Sequence, residues 1–228
     1  MKINDLHDWD LTPTRAAALQ RELAGTIDVR SPLKDWSLVA GADISYDIDS
    51  PVLHATVVVL RLPDFEPVEA RDATMEVSFP YIPGLLSFRE IPPLLECFRA
   101  LDAIPDVVIC DGQGTAHPRR FGVACHLGLW LDVPCLGCAK SRLTGEFEEP
   151  EQTAGSSSEL IAGGEVIGSV LRTADGVNPV FVSPGHRIDL GAARRVVLSV
   201  CRGYRLPETT RVADHRANRI RAGEPPDS

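Results

Sequence analysis

The chain lacks three features that assign proteins to large classes. No apolar stretch approaches the length that a membrane-spanning helix needs, so no membrane association is expected. The polar first ten residues do not resemble a secretory signal, and the cytoplasm is the expected location. Lysine is scarce, at three residues, and the net charge is −9, which argues against a general binder of polyanions.

The sequence also lacks a second pair of metal-ligating residues that would complete a zinc site with two of its cysteines. Cys135 and Cys138 have the spacing of half a zinc site, but no Cys or His pair at a suitable spacing accompanies them. The six cysteines mostly lie inside apolar runs, as small hydrophobic residues do in a reducing compartment. We therefore interpret them as core residues.

The composition that remains is that of a globular protein, with 44% hydrophobic and 24% charged residues. A chain of 228 residues is expected to fold as one domain over residues 1–228, with a central sheet covered by helices. Charge is distributed unevenly along the chain, because the stretch from Arg187 to Arg221 holds nine arginines and only three acids. That stretch is locally basic, and a solvated helix face is the simplest interpretation of the arginines alone.

Apolar periodicity and turn residues predict a mixture of helices and strands. The predicted helices cover residues 13–23, 87–102 and 119–131 and a long C-terminal region. The predicted strands cover residues 37–46, 54–62, 67–77, a run ending at 111, and residues 135–140, 165–172 and 179–183. Turn residues favour an antiparallel meander for the first three strands. Residues 144–159, rich in Glu, Gly and Ser, are predicted to be an exposed or mobile loop.

Two acids lie on or directly after predicted strands. One would lie at the edge of the sheet, and the other would be buried within its strand. Asp111 follows an apolar run, at the carboxyl end of a strand, where open α/β sheets hold their ligands. Gly112 and Gly114 permit close approach of the backbone there. Asp43 lies late in another strand-like stretch, and buried acids are rare without a partner or a metal. Both acids are therefore candidate metal ligands.

A third acid, Glu90, has two interpretations. It lies on the predicted helix 87–102, where Ser87 would be the N-cap and Glu90 would complete a capping box. Alternatively, it belongs with the other two acids. Three antiparallel strands followed by strand–helix–strand units give a mixed α/β sheet with helices on both faces, the order of the ribonuclease H-like fold. In that fold the first strand, a helix and the fourth strand deliver acids to one edge, and Asp43, Glu90 and Asp111 occupy those elements.

Several ordered motifs resemble endonuclease V, a family of repair nucleases that recognise deaminated adenine (inosine) in nucleic acid. The matching segments span most of the chain: residues 39–43, 80–90, 111–114, 117–120, 132–137 with Lys140, 185–187, 203–208 and 210–214. The resemblance implies a divalent metal, Mg²⁺ with Mn²⁺ as the alternative, held by Asp43, Glu90 and Asp111. Asp214 is a further acid near the centre. Some members carry histidine at its position, and His215 is adjacent here, so which of the two faces the metal stays open.

The implied activity is cleavage of a phosphodiester on the 3′ side of inosine, in the family pattern one nucleotide beyond it, by a monomer. The residue types suit this reaction, because a hard cation on carboxylate oxygens offsets phosphate charge and activates water. No serine or cysteine nucleophile is needed. Two alternatives remain open: an enzyme that acts mainly on inosine-containing RNA rather than DNA, and a non-catalytic binder of altered nucleic acid. A binder has no need to keep three acids together.

Two basic residues are further candidates for catalysis and substrate binding. Lys140 ends a strand beside the one that ends at Asp111, so it would lie at the same edge and contact the scissile phosphate or orient water. A strand-end lysine reaching to solvent is the alternative. His117 would approach the phosphate or a metal-bound water, or else pack as a loop histidine on Pro118. Gln113, where many relatives have histidine, is expected to alter local contacts without changing the metal ligands.

The segment Phe79–Gly84 is apolar, aromatic and stiffened by two prolines, which suits a wedge that enters a base stack. The resemblance implies that Tyr81 is the wedge, with Pro83, Gly84 and Leu85 beside it. A hydrophobic staple leading into the next helix is the alternative. Inosine differs from adenosine in its O6 acceptor and N1–H donor, and backbone groups near Gly84 or near residues 112–114 are predicted to read this difference.

Overall fold

A computed structural model describes residues 1–225 of the chain. These residues form five helices and eight strands. The helices are α1 (Pro13–Ala24), α2 (Ser87–Ala100), α3 (Val123–Leu131), α4 (Leu190–Ser199) and α5 (Glu208–Arg221). The strands are β1 (Leu38–Ser45), β2 (Val52–Arg61), β3 (Glu66–Glu76), β4 (Val107–Cys110), β5 (Cys135–Ala139), β6 (Ser157–Ala162), β7 (Glu165–Leu171) and β8 (Val180–His186).

The strands form one mixed sheet in the order β3-β2-β1-β4-β5-β8-β7-β6. β1, β2 and β3 are an antiparallel meander, and β1, β4 and β5 run parallel. The predicted ribonuclease H-like α/β sheet is therefore confirmed. Within residues 1–225, no helix combines the length and the apolar character that crossing a bilayer requires.

Three sequence predictions differ from the structure. The predicted loop 144–159 ends inside β6, an edge strand whose Glu and Ser residues hide its β pattern. The predicted helix 119–131 begins only at Val123, after Arg120 with a positive φ of 56°. The C-terminal helical region divides into α4 and α5, and Pro207 stands directly before α5.

Alternate residues of the central strands bury against helices on opposite faces of the sheet, as period-two side-chain alternation requires. Ala40 and Val108 pack in the cluster that contains residues of α2 and α3. Val39 and Val107 pack in the cluster that contains residues of α4. Five of the six cysteines are buried and all are free, as predicted for core residues. Four arginines of the basic stretch pair with described carboxylates outside it: Arg187 with Asp132, Arg216 with Asp72, Arg219 with Glu224 and Arg221 with Asp47.

Close packing of α5 against β1 depends on Gly41, because a Cβ at this position would overlap the backbone carbonyl of Thr209 in the first turn of α5. We expect Gly41→Ala to lower the free energy of unfolding by roughly 1–3 kcal/mol, the usual cost of overpacking. Urea denaturation measures this loss. Gly25→Ala is the control, because its new Cβ would meet only an ordinary contact at 3.8 Å. Equal stability of the two variants would contradict the expected role of Gly41.

Candidate metal centre and its two cavities

Three carboxylates converge at the carboxyl ends of β1 and β4. Parallel pairing sets Ala42 opposite Cys110, so the next residues, Asp43 and Asp111, lie side by side. Asp214, on α5, completes the group, and one carboxylate oxygen of each acid lies within 4.8 Å of the others. Of the two adjacent candidates on α5, it is therefore Asp214 that the structure places among the acids.

Lys140 follows β5 at the same edge of the sheet, as its strand position predicts. Its Nζ lies 2.6 Å from Oδ2 of Asp111 and 3.3 Å from Oδ1 of Asp214. Partial burial disfavours its charged form, but the hydrogen bond and charge of Asp111, with the charges of Asp214 and Asp43, outweigh burial and raise the pKa of Lys140. The ammonium therefore stays charged and offsets part of the carboxylate charge.

Burial and repulsion raise the pKa of the acids that lie deepest. Burial, followed by the charges of Asp111 and Asp214, raises the pKa of Asp43 to about 8. Burial is also the main cause that raises the pKa of Glu90 to about 7, although the Tyr46 hydroxyl, which donates to Oε1 at 3.1 Å, opposes the shift. These groups hold protons near neutral pH unless a cation offsets the charge.

Glu90 borders the three acids without belonging to the group whose oxygens lie within 4.8 Å. The alternative capping-box interpretation is wrong. The N-cap of α2 is Leu86, which has no side-chain cap, and the Ser87 hydroxyl instead contacts Nδ1 of His126 at 3.0 Å. The Glu90 carboxylate therefore faces Tyr46 and the group of Asp43, Asp111 and Asp214, which we call the acidic centre, and it does not cap the helix.

Two cavities adjoin the acids, and Tyr81, Glu90 and Asp111 border both. The first, the α5 cavity, has a volume of about 440 Å³ and is also lined by Asp43, Ser45, Tyr46, Asn218 and Arg221. The second, the glycine cavity, has a volume of about 410 Å³ and is also lined by Pro83, Gly84, Gly112, Gln113, His117 and Lys140. The acidic centre thus lies between two spaces, each large enough for part of a polar ligand.

Two of the predicted binding residues do not line the glycine cavity. Leu85 is buried in the cluster of Phe79 and Phe88 beneath the loop. Gly114 packs against β8, where a Cβ would overlap the carbonyl of Pro184, and its N–H donates to the Ser183 hydroxyl at 2.8 Å. Their positions give both residues a packing function.

Three side chains hold the backbone carbonyl of Gly84, just after the exposed Tyr81. The carbonyl accepts from Nε2 of Gln20 at 3.1 Å, Nε2 of His117 at 3.0 Å and a guanidinium nitrogen of Arg119 at 2.6 Å. Nδ1 of His117 accepts from the Arg119 N–H at 3.1 Å, so the proton of the neutral ring lies on Nε2. Burial first, and then Arg119, lower the pKa of His117 to about 4. The ring is therefore neutral and both of its nitrogens are occupied.

Sequence reasoning missed Gln20, Tyr46, Asn218 and Arg221 in these surroundings. Only Gln20 left a signal in the sequence, since it is a polar residue on the helix face that Ala16, Leu19 and Leu23 make apolar. Tyr46 contacts Glu90 across 44 residues and Arg221 contacts Asp47 across 174, and no local pattern marks such contacts. Asn218 contacts Asp214, four residues earlier on α5, but only the family resemblance indicated that acid.

The sequence and the fold are both similar to those of known proteins. The family model described as Endonuclease V matches residues 21–215. Endonuclease V of Dehalococcoides mccartyi is 52% identical over 213 residues, covering 93% of this chain and 96% of that protein. The crystal structure of endonuclease V from Streptomyces avermitilis has a TM-score of 0.90 at 42% identity, covering 98% of this chain and 99% of that one.

A third relative was solved with nucleic acid. Ciona intestinalis endonuclease V, in complex with a 24mer DNA that contains an inosine followed by a ribo-adenosine, has a TM-score of 0.82 at 29% identity. The comparison covers 92% of this chain and 98% of that one. With a matching family model over most of its length and relatives near half identity, the chain belongs to the endonuclease V family.

Proposed function

We propose that this chain is a divalent-metal-dependent endonuclease that recognises inosine in nucleic acid and hydrolyses a phosphodiester on its 3′ side. The observation that carries the proposal is the group of Asp43, Asp111 and Asp214, with Lys140, beside the glycine cavity. A non-catalytic binder would not require three mutually repelling carboxylates at one point, because their repulsion costs folding free energy.

The donor set fits a hard cation. Carboxylate oxygens are the ligands of Mg²⁺, with Mn²⁺ as the alternative, and Asp43, Asp111 and Asp214 would hold the ion, with Glu90 at the border of the same cavity. When bound, the metal offsets the charge of the phosphodiester and activates water. Lys140 holds Asp111 and Asp214 in place, and its charge attracts the phosphate to the centre. One chain supplies all these groups, so we propose a monomer that acts as one domain.

The glycine cavity is the proposed site of the inosine base. Tyr81, 47% exposed at its rim, would enter the base stack in place of the displaced base. Pro83, Gly84 and Gly112 bring backbone groups to the cavity, where the O6 acceptor and N1–H donor of hypoxanthine distinguish it from adenine. We assign His117 a positioning function on the Gly84 carbonyl, because both its ring nitrogens are occupied.

Gly84→Ala is expected to lower kcat/KM for a paired inosine about tenfold or more. The residue has a φ of +81°, which strains an alanine there, and a Cβ would lie 3.0 Å from a guanidinium nitrogen of Arg119. The guanidinium must give way, which disturbs its hydrogen bond to the Gly84 carbonyl. Cleavage of inosine strands and of matched adenosine strands measures the effect, and we expect the larger loss on duplex than on single-stranded inosine substrates. Gly155→Ala is the control, because its φ of +86° carries similar strain with nothing within 4 Å. Unchanged discrimination between inosine and adenosine in Gly84→Ala would contradict the proposed reading of the base.

The function itself is tested by incubating the protein with labelled strands that contain one inosine and with matched adenosine strands, with Mg²⁺ and with chelator. We expect one cut on the 3′ side of inosine, only with metal and inosine together. DNA and RNA versions of the same strand decide between the DNA enzyme and an enzyme that acts mainly on RNA. Binding without cleavage under every metal condition would overturn the proposal in favour of a binder.

A further inference from the structure

We propose that the α5 cavity binds the nucleic-acid strand on the 3′ side of the cleaved bond, with Arg221 contacting a phosphate there. This inference rests on the proposed function, because it takes the glycine cavity as the site of the base. It assigns a ligand, a sugar–phosphate segment, to a space lined by Ser45, Tyr46, Asn218 and Arg221.

The order of the two cavities sets the direction of the strand. Glu90 and Asp111 border both cavities, whereas Asp43 lines only the α5 cavity and Lys140 lines only the glycine cavity. The acidic centre therefore lies between the two cavities. A strand whose base occupies the glycine cavity and whose phosphodiester on the 3′ side lies at the acids must continue away from the base. The space that borders the acids on that path is the α5 cavity.

One face of α5 follows this path. Arg211, Asp214, Asn218 and Arg221 are spaced three, four and three residues apart, which places them along one side of the helix. Asp214 belongs to the acidic group, and Arg221 lies seven residues further, about 10 Å along the helix axis. A long arginine side chain at that distance is placed for a phosphate neighbouring the one at the acids.

The partners of Arg221 in the free protein suit an exchange of ligands. A guanidinium nitrogen lies 2.7 Å from Oδ1 of Asp47, and the two side chains are 39% and 74% exposed. An exposed pair of this kind contributes little to stability, so a phosphate can replace the Asp47 carboxylate at small cost. Arginine binds phosphate in a bidentate geometry, which favours the replacement.

Uncharged polar groups complete the lining between Arg221 and the acids. The Ser45 hydroxyl donates to Oδ1 of Asn218 at 2.7 Å, and Nδ2 of Asn218 donates to Oδ2 of Asp214 at 3.2 Å. The Tyr46 hydroxyl lies on the other side, hydrogen-bonded to Glu90. Hydroxyl and amide groups contact sugars and phosphates without reading sequence, so the cavity fits a strand of any sequence.

The test compares Arg221→Ala with Arg61→Ala on inosine strands in which one phosphate is a neutral methylphosphonate. Arg61 pairs with Glu66 at 3.4 Å and lies at the opposite end of the sheet, so its removal makes the same change in charge away from the site. We expect Arg221→Ala to lower kcat/KM about tenfold and to reduce the salt dependence of binding by about one released counterion. Arg61→Ala should match the parent protein.

The position of the methylphosphonate decides the direction of the strand. On the 3′ side of the cut it should slow the parent protein about as much as Arg221→Ala does, and should slow Arg221→Ala no further, since the same contact is already lost. On the 5′ side it should slow both proteins equally. Equal losses on both sides in Arg221→Ala, or parity of Arg221→Ala with Arg61→Ala, would overturn the proposal while leaving inosine cleavage itself intact.

Two further variants guard against a simple folding defect. Arg221→Lys keeps the charge but not the bidentate geometry, so it should restore the salt dependence of binding and part of the lost kcat/KM. Asp47→Asn removes the competing carboxylate and should raise kcat/KM two- to threefold or more at low salt, an effect opposite to that of misfolding. If the parent protein cut no inosine strand, the proposed function would fail first, whereas normal cutting by Arg221→Ala would overturn only the assigned site.

Discussion

Replacement of Asp111 by alanine is expected to abolish cleavage, lowering the rate at least about a thousandfold, or about 4 kcal/mol of transition-state stabilisation. Asp111 is the acid that contacts Lys140 at 2.6 Å and that borders both cavities, so its loss removes a proposed metal ligand and an anchor of the lysine together. The fold should be spared, because the N–H of residue 111 still donates to the Ala42 carbonyl. Gel-based cleavage at saturating Mg²⁺ and a melting curve measure the two effects.

The matched control is Asp102→Ala, which removes the same charge from a side chain that is 96% exposed and distant from the acids. It should cut at the parent rate. Asp111→Ala should still bind an inosine strand, because the glycine cavity keeps Tyr81, the proposed wedge, and its backbone groups. Normal cutting by Asp111→Ala would remove the assigned metal centre, and loss of binding together with loss of the melting transition would show that Asp111 acts through folding.

The part of the site that follows from strand order was predictable. Asp111 ends an apolar run and Asp43 lies within another strand-like stretch, and the predicted sheet order places the two strands side by side. Lys140 was predicted by the same rule from β5. These predictions need only local apolar patterns and the direction of neighbouring strands, both of which the sequence carries.

The rest depends on packing between distant segments. Asp214 lies at the acidic centre because α5 packs against Gly41 through Thr209. No local sequence pattern predicts this contact, and only the family resemblance indicated Asp214. Gln20 contacts Gly84 across 64 residues, and Ser45 contacts Asn218 across 173. Such hydrogen bonds are specified by the complete fold, so a single sequence without its relatives does not disclose them.

For His117, the sequence predicted the location at the site but not the hydrogen bonds that decide its function. Its position in a glycine-flanked segment predicted closeness to the site, and it does line the glycine cavity. Its two ring nitrogens are nevertheless engaged with Gly84 and Arg119, and burial keeps the ring neutral. The chemistry available to a histidine is set by its hydrogen-bond partners.

Metal affinity is expected to rise steeply with pH. Burial and the neighbouring acids raise the pKa of Asp43 to about 8, and burial raises that of Glu90 to about 7, so protons compete with the cation at neutral pH. If Asp43 alone must lose its proton, the apparent affinity for Mg²⁺ should rise about 50-fold between pH 6 and pH 8, and more if Glu90 also ionises. Titration of Mg²⁺ against the melting temperature at each pH measures this.

The metal-free protein should respond to pH in the opposite direction. The pKa of Asp43 is higher in the folded than in the unfolded chain, so the unfolded chain holds fewer protons between about pH 4 and pH 8, and the contribution of Asp43 to stability falls as pH rises through that window. Asp43→Asn should therefore melt higher than the parent protein at pH 8 without metal, and should lose both the steep pH dependence and the stabilisation by Mg²⁺. If the Mg²⁺ affinity of the parent protein did not change from pH 6 to pH 8, the acids would already be ionised at pH 6. The cation would then bind without displacing a proton.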